Sequence, residues 1–234
     1  MKQTIKILTF YFLAFLIVGC SAPKVPKGFN KSLSEIANYY DASVGGIMRT
    51  YAVSTDNEGK NYIVEMSGVS SDILSYNSPS DISSVASVLV FMNLDSTEFT
   101  DSDKITFKLT ADNSSSTFDY KKPILEKSIG YKEKADRFIK GLDNNKFNEC
   151  INMIEMEIIG ADTSSLVELL SSLEKVEYGE LKEYSVYGFE SASEVIEGKN
   201  IDLFRVKVGF NYENSQHTGE LVFIDSGKMI GFNM

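Results

Sequence analysis

The stretch FRVKVGFNY, residues 204–212, alternates apolar Phe204, Val206, Val208, Phe210 and Tyr212 with Arg205, Lys207, Gly209 and Asn211. A strict period of two marks a half-buried strand with one face in a core and one face toward polar surroundings. Downstream, Leu221 and Phe223 mark another strand, and Asp225-Ser226-Gly227 turns the chain into Met229-Ile230-Gly231-Phe232. Upstream, Tyr178 to Phe189 is a long strand whose apolar parity shifts between Leu181 and Tyr184, the signature of a bulge. The C-terminal third is therefore a strand meander.

Helices precede it. Ala135, Phe138, Ile139 and Leu142 lie on one helical face, and Asp143-Asn144-Asn145 ends that helix. Phe147, Cys150, Ile151, Ile154 and Ile158 define a second helix. The capping box Ser165-x-x-Glu168 opens a third, with Leu166, Leu169, Leu170 and Leu173. Lys121 to Gly130, with Pro123 and a high charge content, reads as the boundary with an N-terminal unit. In that unit Ser32-x-x-Glu35 suggests a helix start, and Gly45-Gly46 its end. Residues 47–54 and 62–66 form a hairpin around the turn Asp56-Asn57-Glu58-Gly59. A second helix, from Ser80 or Asp81, shows the stripe Ile82, Val85, Ala86, Leu89 and Met92. A second hairpin follows, 104–109 and 118–120, around Asp112-Asn113-Ser114. Helices followed by strand runs predict an α+β architecture of two small helix-plus-antiparallel-sheet domains, 29–122 and 131–234.

The N-terminus makes a different kind of statement. Lys2 and Lys6 precede an uncharged apolar run from Ile7 to Val18, and small residues lead into Cys20. This is the order of a secretory signal. The run is well short of the roughly 20 residues needed to span a bilayer. Ile17-Val18-Gly19-Cys20 resembles the lipobox of bacterial lipoproteins. That resemblance implies cleavage of residues 1–19, diacylglycerol on the Cys20 sulfur, and a tether through residue 28. Two or more acyl chains hold a protein stably on a membrane. Ser21 after the cysteine is similar to the pattern of outer-membrane lipoproteins, which face the periplasm in a Gram-negative cell.

The helix from Ala135, the Asp143-to-Phe147 junction and the terminal strands resemble the nuclear transport factor 2-like, or cystatin-like, cone over Tyr131 to Met234. Such a fold hosts isomerases, dehydratases and non-enzymatic binding modules, so fold alone does not choose. Cones of this kind pair through an open sheet face, and the 204–212 stripe makes a homodimer one expectation.

Composition narrows the chemistry. The content is 43% hydrophobic, enough for real cores, and the formal net charge is −10, which argues against a nucleic-acid partner. His217 is the sole histidine and sits in an expected turn; tryptophan is absent. With Cys20 lipidated, Cys150 has no disulfide partner and reads as a buried thiol. Asp101-x-Asp103 and Glu155-x-Glu157 lack calcium-loop spacing, and no phosphate loop, nucleophile elbow or cofactor fingerprint occurs. No metal or cofactor is expected. Glu183, Tyr184 and Tyr187, with Glu190 beyond them, lie on one strand. They form the candidate ligand pocket, because a carboxylate beside a tyrosine could move protons if desolvated. Tyr39, Tyr40, Tyr51 and Tyr62 could line a peptide or glycan surface.

The expectation is thus a lipid-anchored, non-catalytic binding module at the membrane surface. It would engage another envelope protein or a small apolar ligand. The alternatives are an isomerase- or dehydratase-like enzyme in the C-terminal cone, and a periplasmic inhibitor or immunity-type protein against an envelope-acting toxin.

Overall fold

A computed structural model describes residues 25–233 apart from 55–56, 96, 112–113, 161, 173–178 and 197. The leader, Cys20, the first part of the tether and parts of the expected hairpin turns lie outside the described residues. Among those described, no helix is long and apolar enough to cross a membrane.

The elements run α1 (Lys27–Tyr40), β1 (Ser43–Ser54), β2 (Asn57–Ser67), α2 (Ser71–Tyr76), α3 (Pro79–Asn93), β3 (Lys104–Ala111), β4 (Ser114–Lys121) and α4 (Lys122–Asp143). They continue with α5 (Phe147–Ile151), α6 (Met156–Ile159), α7 (Thr163–Ser172), β5 (Leu181–Ile196), β6 (Lys199–Tyr212), β7 (Gln216–Ile224) and β8 (Met229–Asn233). The architecture is α+β, with two four-stranded sheets.

The C-terminal sheet is the antiparallel meander β5-β6-β7-β8. Phe204 faces Phe223, Val206 faces Leu221 and Val208 faces Val186, so the alternation in β6 becomes one apolar face. That face is buried against α4. Tyr131 stacks on Phe204 at 4.8 Å and meets Phe223 at 5.1 Å, and Phe138 meets Phe232 edge-on at 5.6 Å. The 204–212 stripe is therefore core, not an open pairing face. The expected bulge near Leu181 is present, and a second lies between Val186 and Gly188.

The segment read as a boundary, Lys121 to Gly130, lies almost wholly within helix α4. The helix begins at Lys122, directly after β4, and runs 22 residues. Pro123 stands in its first turn, where proline is preorganised for the helix and its missing N–H costs nothing. Buried Leu125, Ser128 and Tyr131 extend the Ala135/Phe138 face upstream.

The N-terminal sheet, order β1-β2-β3-β4, is mixed rather than antiparallel, because β2 and β3 pair in parallel. A parallel pair needs a crossover, and α2 and α3 supply it. The two hairpins thereby fuse into one sheet. Its buried face presents Tyr62, Val64, Met66, Ile105, Phe107 and Leu109 to Phe29 and Ile36 of α1 and to α3. Helix α1 starts five residues before the expected capping box. Ser32 is buried mid-helix, its hydroxyl donating to the Gly28 carbonyl at 2.9 Å. Gly45 and Gly46 lie inside β1 instead of ending α1. A side chain at Gly46 would strike Phe29 and Leu33 at 2.8–2.9 Å.

Helix α3 departs from the single stripe expected of it. Ile82 and Ala86 are buried as foreseen, but so are Ser83, Ser84, Ser87, Val88 and Val90, while Met92 is exposed. A helix covered on most sides lies between other elements. One side packs on the N-terminal sheet, where the Ser83 and Tyr120 hydroxyls lie 2.6 Å apart. The other covers β5, whose outer edge has no strand neighbour. There the Phe189 N–H donates to Ser84 Oγ at 3.0 Å, satisfying an amide that an open sheet edge would leave exposed. The buried residues of both halves join in a single hydrophobic cluster.

Candidate functional site

The face of the meander opposite α4 is polar. Its cross-strand rows are Glu183–Asn211–Gln216 and Ser185–Gly209–Thr218, followed by Lys207 and Glu220. Over these rows stand the C-terminal end of α1, where Asp41 in the left-handed region (φ 45) turns the chain, and the short helix α2. Tyr39 and Tyr40 meet edge-on at 4.8 Å. The result is a groove of three adjoining compartments, each bordered by both Tyr39 and Ser185.

The largest, about 550 Å³, is walled by Tyr39 and Tyr76 above Glu183, Ser185, Gly209, Asn211, Gln216 and Thr218. The second, about 300 Å³, adds Tyr40, Ile73, Asn77 and Tyr187. The third, about 350 Å³, is apolar, with Val85, Leu89 and Met92 of α3 facing Val186 and Phe189, and Lys132 at its rim. Lys132 is paired with Asp136 at 2.7 Å.

Ion pairs on the same sheet face join the two halves. Lys207 Nζ lies 2.9 Å from Asp81 Oδ1 and 3.1 Å from Glu190 Oε2, and Arg205 pairs with Glu190 at 3.3 Å and with Glu194. Asp81 also completes the capping box of α3, accepting from the Ser78 amide and hydroxyl. Burial works against the Lys207 ammonium, but its hydrogen bonds to Asp81 and Glu190 outweigh that and raise its pKa. Gly188 makes the contact sterically feasible, since a Cβ there would lie 2.5 Å from Asp81 Oδ1.

Three tyrosines of the groove, Tyr40, Tyr184 and Tyr187, are held in the neutral form. Burial, then the charges of Tyr39 and Asp81, push Tyr40 upward. Tyr187 is raised chiefly by burial, and it shares a hydrogen bond with Thr218. Tyr184 moves from the ordinary 10.0 up to about 12, first through burial, then through the charge of Asp136 and its hydrogen bond to that carboxylate. These phenols are donors and stacking surfaces at neutral pH. Because the folded pKa of Tyr184 exceeds the unfolded one, its contribution is intact below pH 10 and is lost as pH climbs toward 12. Alkaline melts should show Tyr184→Phe losing less stability than wild type across that window, with tyrosinate absorbance tracking the difference.

The sequence-derived site residues separate. Glu183 and Tyr184 border the large compartment and Tyr187 the second, but Glu183 is solvent-exposed and the Tyr184 hydroxyl is committed to Asp136 on α4. Glu190 belongs to the ion-pair network. His217 is in β7, not a turn; its Nε2 lies 2.9 Å from Ser215 Oγ, and its ring 6.1 Å from that of Tyr212. Cys150 is buried, its thiol donating to the Phe138 carbonyl at 3.5 Å. Asp103 accepts the Lys60 and Thr100 amides, and Asp101 pairs with Lys122. No group of three His, Cys, Asp or Glu side chains gathers as a metal site among the described residues.

Of the tyrosines singled out from sequence, 39 and 40 reach the groove. Tyr51 instead donates to the Ser102 carbonyl and Tyr62 to that of Glu98. Tyr76 was missed. Its signal is an aromatic residue set directly before the polar run Asn77-Ser78-Pro79. Compared with protein-family descriptions, curated proteins and solved structures, the chain matches none.

Proposed function

We propose that the protein is a lipid-anchored envelope component, held by lipid on Cys20, which binds its ligand without transforming it, and that the tyrosine-walled groove is the binding site. In a Gram-negative cell it would sit on the outer membrane facing the periplasm. The observation that supports this reading is the convergence of Tyr39, Tyr40 and Tyr76 from the N-terminal half on the polar face of β5–β7. An aromatic-walled cleft with a few polar side chains is the usual form of a ligand site. An acid–base role is disfavoured, since Glu183 is solvated and Tyr184 stays protonated.

The finer fold reading belongs here too. A long helix lying against an antiparallel meander supports a cone of the nuclear transport factor 2-like type for α4 and β5–β8. Its interior is occupied by Phe204, Val206, Val208, Leu221 and Phe223, so the ligand is assigned to the opposite face.

A photo-crosslinking amino acid at Gln216 of the full chain, expressed in its host, tests this. A discrete adduct is expected. It should vanish in the Tyr39→Ala/Tyr76→Ala double variant and weaken in Cys20→Ala, where the local concentration given by the anchor is lost. An adduct indifferent to the tyrosines would refute the groove. Recovery of a chemically altered ligand would refute the non-catalytic reading.

A further inference from the structure

The groove also specifies a chemical class. We infer that the ligand is an electrically neutral oligosaccharide of hexose or N-acetylhexosamine units, stacked on Tyr39 and Tyr76; this rests on the groove being the binding site.

The walls come first. Tyr39 is 59% and Tyr76 76% exposed, and they rise from different helices over the same two compartments. Large apolar side chains grouped at a cleft mark an interaction surface. Flat phenol faces suit the C–H faces of a pyranose ring, while the hydroxyl at the tip of each ring can hydrogen-bond its oxygens.

The floor comes second. Gly209 sits at its centre, in a strand, where glycine is unfavourable unless something approaches closely. A Cβ there would meet nothing nearer than 3.6 Å, the Ser185 hydroxyl. Packing does not demand glycine, and no positive φ does. What the missing side chain provides is open floor flanked by Ser185 and Thr218 hydroxyls, with the Asn211 and Gln216 amides in the next row.

Charge and backbone come third. No lysine or arginine borders either compartment; the larger one is bordered by Glu183 and by His217, whose Nε2 lies 2.9 Å from Ser215 Oγ. Phosphate, sulfate and carboxylate ligands would find no lysine or arginine as counter-charge and would face the Glu183 carboxylate. The floor is the face of β5–β6–β7, whose central strand is paired on both sides. An extended peptide therefore finds no strand edge on which to pair, the usual route to backbone recognition. Hydroxyl-rich, neutral and ring-faced is the chemistry that remains.

The test uses the full chain in detergent, titrated with chitotetraose, cellotetraose and, as an anionic counterpart, a hyaluronan tetrasaccharide. Binding is followed by calorimetry. At least one neutral tetrasaccharide should bind and the anionic one should not. Tyr76→Ala should weaken binding by about tenfold or more, as expected for loss of an aromatic stacking contact. Gly209→Val should abolish it, and Gly209→Ala should weaken it. Thermal melts should stay close to wild type for Tyr76→Ala, whose side chain is exposed, so that loss of binding is not loss of fold. Unchanged binding in both the tyrosine and the glycine variants would overturn the assignment. So would no binding of either neutral sugar while Gln216 still crosslinks a peptide, an outcome that spares the groove itself. Silence in both experiments would overturn the groove with it.

Discussion

Asp81→Ala should lower stability by about 3 kcal/mol and the melting temperature by on the order of 10 °C, the scale for breaking a buried pair in a chain of this length. Asp81 is 5% exposed, and three functions meet in its carboxylate. It caps α3 through Ser78, neutralises Lys207 of β6, and fills the space left by Gly188. Alanine leaves the Lys207 ammonium partly buried with only the half-exposed Glu190 as partner. Two controls separate the terms. Adding Lys207→Met to Asp81→Ala should recover much of the loss, because an apolar replacement removes the stranded charge. Gly188→Ala should destabilise with the charges intact, by driving a methyl against a carboxylate that Ser78 and Lys207 hold in place. Thermal melts of the four proteins decide it. If the double variant is no better than Asp81→Ala, capping and packing outweigh the ion pair.

The second large effect lies at Tyr131. Tyr131→Ala should cost about 3–5 kcal/mol, as for other large aromatic deletions from cores. The ring stacks on Phe204 and meets Phe223 at a tilt, and its hydroxyl donates to the Ile224 carbonyl at 2.7 Å. The ammonium groups of Lys127 and Lys134 lie 5.8 and 5.0 Å from the ring centre. Lys134 also lies over Gly227, where a Cβ would collide with its Nζ, and burial followed by the neighbouring Arg137 lowers its pKa. Tyr131→Phe keeps the stack and forfeits the hydrogen bond, so it should cost about 1 kcal/mol. Urea denaturation of both variants measures the two terms, and equal losses would show that the hydroxyl, not the ring, anchors α4 to the meander.

Local pattern was readable where one face of an element meets core and the other does not. Strand β6 is such an element, and so is the second half of α4, where Ala135, Phe138 and Ile139 are buried as their spacing predicts. Pattern failed where burial is two-sided or pairing is non-local. The serines of α3 look solvent-facing in sequence, yet they are small enough to let a helix approach both a sheet and a strand edge. The parallel β2–β3 pairing joins segments separated by two helices, and nothing in either strand announces its neighbour. Pro123 and the surrounding charges hid the helical pattern at the expected boundary because the buried positions there, Leu125, Ser128 and Tyr131, are sparse. At the site, Glu183, Tyr184 and Tyr187 were found because they share a strand. The walls come from α1 and α2, more than a hundred residues away, and only the fold brings them over it.

The crowding of phenols around the groove also has an optical consequence. The chain has twelve tyrosines and no tryptophan, and Tyr39, Tyr40, Tyr76, Tyr184 and Tyr187 all border the groove. With no indole to drain excitation by energy transfer, the native ultraviolet emission comes from phenols alone, and five of the twelve stand at one place. A guest settling among them would alter the glow of the unlabelled protein, making the cleft its own dye.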